Sequence, residues 1–297
     1  MEFCLKRIIH ITALCAVILL FIACKEKEIE RNNSKIKVAV SGYLPYTLAK
    51  SIFADTAEIQ MLMPPAAGVH SFEPSPKNAL QIKNADFFFY ISDRIEPWAK
   101  SLSDGVGTIG IALAYNLPDI NPKDPHYWMS FQNAAAMAGN MAFITSEKFP
   151  QLKPVILGNA DRFENEMQLL DKLYKQLLSN CKTRDIYHIG HNAFGYIARK
   201  YNLNFQPLNG SLSESEPAAA QMANMIKEIK DKKTDYIFSE KIINPKLASV
   251  IAAESGAKIL NLYAVEDITK EEFEKETSYT QFMMMNLENL VKGLACN

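Results

Sequence analysis

The sequence predicts an α/β fold of two similar lobes, each with a largely parallel sheet, joined by a long spine helix. Three observations carry that expectation. Short, nearly uninterrupted apolar runs alternate with helix-like segments from residue 35 onward, as in parallel strands covered on both faces. The alternation comes in two blocks of similar size, starting near Lys37 and Arg184,. Between the blocks, apolar residues recur in steps of three and four.

In the first block, residues 37–40, 59–63, 86–91 and 108–111 read as strands. The run 86–91 (DFFFYI) is apolar enough to be buried on both faces,. Residues 46–53, 78–83 and 96–102 carry helical patterns. In the second block, strands fall at 186–189, around Phe205, at 236–238 and at 258–260, and helices at 193–201, 218–230, 245–255 and 278–294. The connecting helix is marked by Ile156, Ala160, Phe163, Met167, Leu170, Leu173 and Leu177, with Pro154 suited to its first turn,. Running to Leu178, it would be about 35 Å long at 1.5 Å per residue.

The first residues read differently. Lys6 and Arg7 precede an apolar run, 11–23, that is too short and wrongly flanked for a stable membrane span,. The run ends in Phe21-Ile22-Ala23-Cys24, which resembles a lipobox, although Phe21 stands where leucine is most usual. Cleavage before Cys24 would leave that cysteine as the lipidated N-terminus. The polar stretch after it (KEKEIERNNSK) suits a flexible tether,. The expected organisation is a lipoprotein signal at 1–23, a tether at 24–35, an N-terminal lobe at 36–150, a linking helix at 151–183 and a C-terminal lobe at 184–297.

A net charge of −1 argues against nucleic acid as a partner. Of the five cysteines, Cys4 and Cys15 leave with the signal. Cys181 and Cys296 can pair in an oxidising compartment, and the sequence leaves open whether they do. There is no Cys-x-x-Cys motif.

The chemistry-bearing residues are histidines. His70 lies in Pro64-Pro65-Ala66-Ala67-Gly68-Val69-His70-Ser71-Phe72-Glu73-Pro74, His126 in Asp124-Pro125-His126-Tyr127-Trp128, and His191 in His191-Asn192-Ala193-Phe194-Gly195-Tyr196. Each follows a predicted strand, where open α/β sheets place their ligand sites. His191 is expected to open a helix. Two lie in the first block and one in the second, so a cleft between the lobes would bring them together. Three imidazoles can hold one transition-metal ion. His188 sits three residues before His191, and strand alternation turns it away. It reads as a histidine of the core or as support for a ligand, with a metal role as the alternative. Trp128 suits either the wall of the site or the core.

These phrases resemble the metal-binding family of ABC-transporter solute-binding proteins, the group that delivers zinc or manganese to importers. The resemblance rests on His70-Ser71-Phe72-Glu73-Pro74-Ser75-Pro76, on Asn84-Ala85-Asp86, on Ile95-Glu96-Pro97-Trp98 and on the His126 and His191 phrases. Ile237-Phe238-Ser239-Glu240, Thr277-Ser278-Tyr279 and Asn286 extend it to the end of the chain. It implies that His70, His126 and His191 are metal ligands. It also implies a cell-envelope protein, lipid-anchored through Cys24, on the periplasmic side or exposed at the surface. Such a protein works as a monomer that serves an ABC-transporter membrane permease.

The chain departs from the family at two places. The aspartate that many relatives use as fourth ligand falls here on Leu262 or Tyr263, neither a carboxylate. Water, Glu266, Asp267 or Glu240 is left to complete the set. The loop from Ala112 to Lys123 lacks the histidines that some zinc carriers have there.

Three imidazoles without a hard carboxylate favour Zn(2+) as cargo over Mn(2+). Binding needs deprotonated imidazoles and is expected to weaken below about pH 6. The expected function is therefore capture and release rather than catalysis, with the spine helix restricting the lobes to a small motion. A zinc-dependent hydrolase and a carrier of a chelated metal such as haem are the alternatives. No His-Glu-x-x-His motif or nucleophile elbow favours an enzyme,.

Overall fold

The computed structural model describes residues 35–69, 71–208, 218–242 and 245–297. The predicted signal, the lipidation site at Cys24 and the tether up to residue 34 lie outside the described residues, and so does His70. Among the described residues, no helix is long and apolar enough to cross a membrane.

The first sheet contains β1 (Ile36–Val40), β2 (Ala57–Met61), β3 (Phe87–Tyr90) and β4 (Gly110–Ala112), in the order β2-β1-β3-β4. All its pairings are parallel, with Val38 opposite both Ile59 and Phe87, and Phe89 opposite Ile111. Helices α1 (Tyr43–Phe53), α2 (Pro76–Lys83) and α3 (Pro97–Gly105) connect the strands. The second sheet repeats the plan with β5 (Asp185–Ile189), β6 (Asn204–Pro207), β7 (Tyr236–Ser239) and β8 (Lys258–Asn261), in the order β6-β5-β7-β8. It too is parallel, with Ile186 opposite Phe205 and Phe238 opposite both His188 and Leu260. In each sheet the order reverses beside the first strand, and the crevice opens beyond the strands' carboxyl ends.

Two helices join the sheets. α4 (Phe131–Lys148) was not anticipated from the sequence. Its run Ala134-Ala135-Ala136-Met137-Ala138-Gly139 gives little contrast between faces, and Phe131, Ala134, Met137, Ala138, Met141 and Ala142 are all buried. α5 (Lys153–Leu177) is the expected spine, 25 residues long with Pro154 in its first turn. It buries Ile156, Phe163, Met167, Leu170 and Tyr174. Its polar ties reach both lobes: Asn159 Nδ2 donates to Ile52 O at 2.9 Å, and Tyr174 Oη donates to Met283 O at 2.6 Å.

In the second lobe, α6 (Gly195–Lys200) follows β5, α7 (Ala219–Asp231) precedes β7 and α8 (Pro245–Ser255) precedes β8. The chain closes with α9 (Lys270–Glu274) and α10 (Tyr279–Gly293). α2, α9 and α10 start at Ser75, Thr269 and Ser278, whose hydroxyls accept from the backbone three residues on,. α6 begins four residues after His191 rather than at it. Ala193 N–H closes a turn onto His191 O first, which leaves the His191 backbone N–H for a carboxylate.

One apolar core runs through both lobes, from Val38, Phe53 and Phe89 through Phe131, Phe163 and Tyr174 to Phe238, Tyr279 and Phe282. Smaller clusters lie around Tyr187, Ile237 and Ile251 and around Phe88, Tyr90 and Ala99. Cys181 and Cys296, whose pairing the sequence left open, form a disulfide that joins the chain just past α5 to the C-terminus.

Candidate metal centre

Three loops meet where the carboxyl ends of the two sheets face each other. His126 comes from the loop after β4, His191 from the end of β5 and Glu266 from the loop after β8. Their ligand atoms all lie within 4.8 Å of one another, and all three side chains are buried. Glu266 Oε1 is 2.6 Å from His191 Nε2 and 3.9 Å from His126 Nε2. The imidazole centroids are 5.0 Å apart. Bonds of about 2.0–2.1 Å to a tetrahedral ion would place donors about 3.3 Å apart, so this spacing suits one small cation.

A carboxylate backs each imidazole. His126 Nδ1 is 2.8 Å from Asp124 Oδ1, which also accepts from the His126 backbone N–H at 3.1 Å. His191 Nδ1 is 3.0 Å from Glu240 Oε1, which accepts from the His191 backbone N–H at 3.1 Å. A carboxylate only accepts, so Nδ1 of each ring carries a proton and Nε2 is the atom turned to the cluster; on His191 Nε2 also meets a carboxylate, Glu266, so an ion bound there would displace a proton from it,. Outer carboxylates of this kind orient metal-binding histidines and raise their basicity.

Two glycines make room for these carboxylates. A Cβ on Gly190 would lie 2.2 Å from Glu240 Oε1, and one on Gly195 would lie 2.4 Å from Asp124 Oδ2. The backbone beside Glu266 is shaped as tightly. Val265 has φ +69°, a left-handed conformation that β-branched residues rarely adopt,. Asn286 Oδ1 accepts from Tyr263 N, and Asn286 Nδ2 donates to Tyr263 O. The same loop is held further along by Ile268 O, which accepts from Ala66 N.

The electrostatics favour positive charge. Burial lowers the pKa of the His191 imidazole, but Glu240 and Glu266 outweigh it and hold the imidazole well above its ordinary value. Burial, together with Glu266 and Glu240, pushes the neighbouring Asp267 carboxyl up to about 8. Negative charge is thus crowded into a dry site where a divalent cation would be strongly stabilised.

His188 is fully buried between the rings of Phe194 and Phe205, with Nε2 3.8 Å from Glu240 Oε1. Burial lowers its pKa to about 4, so it is neutral near pH 7 and adds no charge. Of the carboxylates the sequence left open, Glu266 faces the imidazoles, Glu240 stands behind His191, and Asp267 is not part of the cluster. Sequence reasoning assigned no role to Asp124; its place two residues before His126 was the available signal. Among the completions left open for the donor set, the geometry brings the carboxylate of Glu266 to the imidazoles. The loop after β8 supplies it four or three residues beyond Leu262 and Tyr263, because the turn at Val265 swings Glu266 inward.

Comparison with known proteins agrees with the fold. The chain is 28% identical to the zinc-binding protein AdcA of Streptococcus pyogenes, over 96% of this chain and 61% of that one. It thus spans about three fifths of that streptococcal relative's length. It is 28% identical to the high-affinity zinc uptake system protein ZnuA of Bacillus subtilis, over 89% of each. The crystal structure of the Zn(II)-bound ZnuA-like domain of Streptococcus pneumoniae AdcA superimposes with TM-score 0.76 at 28% identity, covering 88% of this chain and 99% of that one. The family described as zinc-uptake complex component A, periplasmic (ZnuA), matches residues 38–293. The chain belongs to that family.

Proposed function

We propose that this protein is a lipid-anchored solute-binding protein. It captures a zinc ion in the cleft between its lobes and delivers it to the membrane permease of an ABC importer. The observation that carries the reading is the buried meeting of His126, His191 and Glu266, with Asp124 and Glu240 behind the imidazoles. These groups are nearly closed to solvent, which suits holding an ion better than admitting an ester or peptide for hydrolysis. Nothing in the donor set calls for a porphyrin.

His126, His191 and Glu266 serve as ligands in this reading, and His70 is a further imidazole ligand. Two or three nitrogens with one carboxylate form a donor set common for zinc. The carboxylate weakens the argument against manganese from donor softness alone. The zinc assignment therefore leans on the imidazoles and on relatives described as zinc-binding. Cys24 carries the lipid, which keeps the protein at the cell envelope, and residues 24–35 act as the tether.

Calorimetry with the soluble form lacking residues 1–24, stripped of metal and titrated with zinc and then manganese, tests the proposal. One zinc per chain is expected, with manganese weaker. His70→Ala, His126→Ala and His191→Ala should each weaken zinc at least a hundredfold while the fold is retained. A His126→Ala variant that binds zinc normally would end the reading.

A further inference from the structure

Trp128 connects the two sides of the metal centre. Its indole lies against the His126 imidazole, with centroids 5.4 Å apart and planes at 74°. Its Nε1–H donates to Ala264 O at 2.6 Å, across 136 residues of sequence and from the first lobe to the second. Both residues are buried, Trp128 completely. Tyr279 Oη donates to the Trp128 carbonyl, which anchors the tryptophan backbone to α10.

Ala264 is the residue before Val265, whose left-handed backbone aims Glu266 at the imidazoles. A conformation unfavourable for valine persists only where its surroundings enforce it. The indole N–H fixes the peptide oxygen at the start of that turn. One side chain thus touches one imidazole and fastens the backbone that carries the carboxylate.

We propose that Trp128 is a positioning residue of the metal centre: its indole N–H, held by Ala264 O, locks the Val265 turn so that Glu266 stays within reach of His126 and His191. The inference rests on the carrier reading and adds a determinant of zinc retention. Without the hydrogen bond the turn relaxes, the carboxylate withdraws, and zinc is held by imidazoles alone. Loss of an outer partner of a metal ligand typically costs 10–100-fold in affinity.

Trp128→Phe keeps an aromatic ring beside His126 and removes the donor. Tyr43→Phe is the control, because Tyr43 Oη donates to Thr277 O at 2.7 Å, another contact between lobes that touches no proposed ligand. Zinc affinity is measured by chelator competition, zinc release by stopped flow, and the ligand set by the absorption bands of the cobalt(II)-loaded protein. Trp128→Phe is expected to weaken zinc at least tenfold, chiefly through faster release, and to alter the cobalt bands; Tyr43→Phe should change neither. Equal effects in both variants would reduce Trp128 to general support between lobes and overturn the proposal. So would normal zinc binding by Trp128→Phe.

If Trp128→Phe does not fold, indole N–H exchange in the metal-stripped wild type decides. The chain has two tryptophans, and Trp98→Phe assigns the signals. Exchange at the rate of a free indole would overturn the proposal, and strong protection would support it. Failure of the wild type to bind zinc would sink the carrier reading and this inference together. Normal wild-type binding with an unaffected Trp128→Phe would sink this inference alone.

Discussion

Glu240 holds His191 at two points with one oxygen: Oε1 accepts from the backbone N–H at 3.1 Å and lies 3.0 Å from Nδ1. The carboxylate thereby fixes both the position of the residue and the rotation of its ring. Glu240→Gln keeps the size but loses the charge that stabilises Nδ1–H. It should weaken zinc binding 10–100-fold by calorimetry and leave the circular dichroism spectrum unchanged.

Gly190 and Gly158 predict opposite outcomes for the same substitution. At Gly190 a methyl group would collide with Glu240 Oε1 and with His188 Cε1, 2.5 Å away. Gly190→Ala should therefore lower both zinc affinity, by at least tenfold, and the melting temperature. Gly158 lies in α5, where an added methyl group would meet nothing within 4 Å. Gly158→Ala should stabilise the protein by about 0.5–1 kcal/mol in urea unfolding and leave zinc affinity unchanged.

Glu96, whose carboxyl also feels the charge of Glu266, gives the protein a pH-dependent stability term. The side chain is fully buried and accepts from Ile91 N, and burial raises its pKa to about 7. The unfolded carboxyl titrates near its ordinary value, so the folded state holds the proton more tightly. That contribution is fully present below the unfolded value and is lost as pH rises through about 7. Glu96→Gln retains an acceptor and does not titrate. Between pH 5 and 8, urea unfolding of metal-stripped protein should shift in favour of the variant by up to about 3 kcal/mol. A difference that stays constant over this range would contradict the argument.

The disulfide should stabilise the fold and leave the metal centre alone. Cys181 and Cys296 are 115 residues apart in sequence, and Lys182 N and Asn297 N bond to Ala295 O and Asn180 O on either side. Closing a loop of that length is worth about 3–5 kcal/mol in the chain-entropy account. Replacing both cysteines with serine should lower unfolding free energy by that order. Zinc affinity at a temperature where the variant is folded should match the wild type.

The parallel strands and the spine were legible because their signals are local: apolar runs at strand length, and Ile156, Phe163, Met167 and Leu170 at helical spacing. α4 was not, because Ala135, Ala136 and Gly139 blur the contrast between its faces. His126 and His191 were legible from their phrases and strand-end positions. The choice among Glu240, Glu266 and Asp267 was not, because it depends on the direction of a turn that Val265 makes against its own preference. The roles of Asp124 and Gly195 emerge only when two loops 71 residues apart in sequence meet.

The loop carrying His126 follows β4 in the first lobe and is fastened to both lobes: Arg94, Asn133 and Asn140 hold it from the first. Asn121 N donates to Tyr196 Oη, Arg199 pairs with Asp119 at 2.7 Å, and Trp128 bonds to Ala264. The boundary drawn by the strands is therefore not the boundary across which relatives can be recombined. A chimaera that exchanges lobes would inherit a mismatched seam along residues 113–130 unless the partners of this loop in both halves were matched to it.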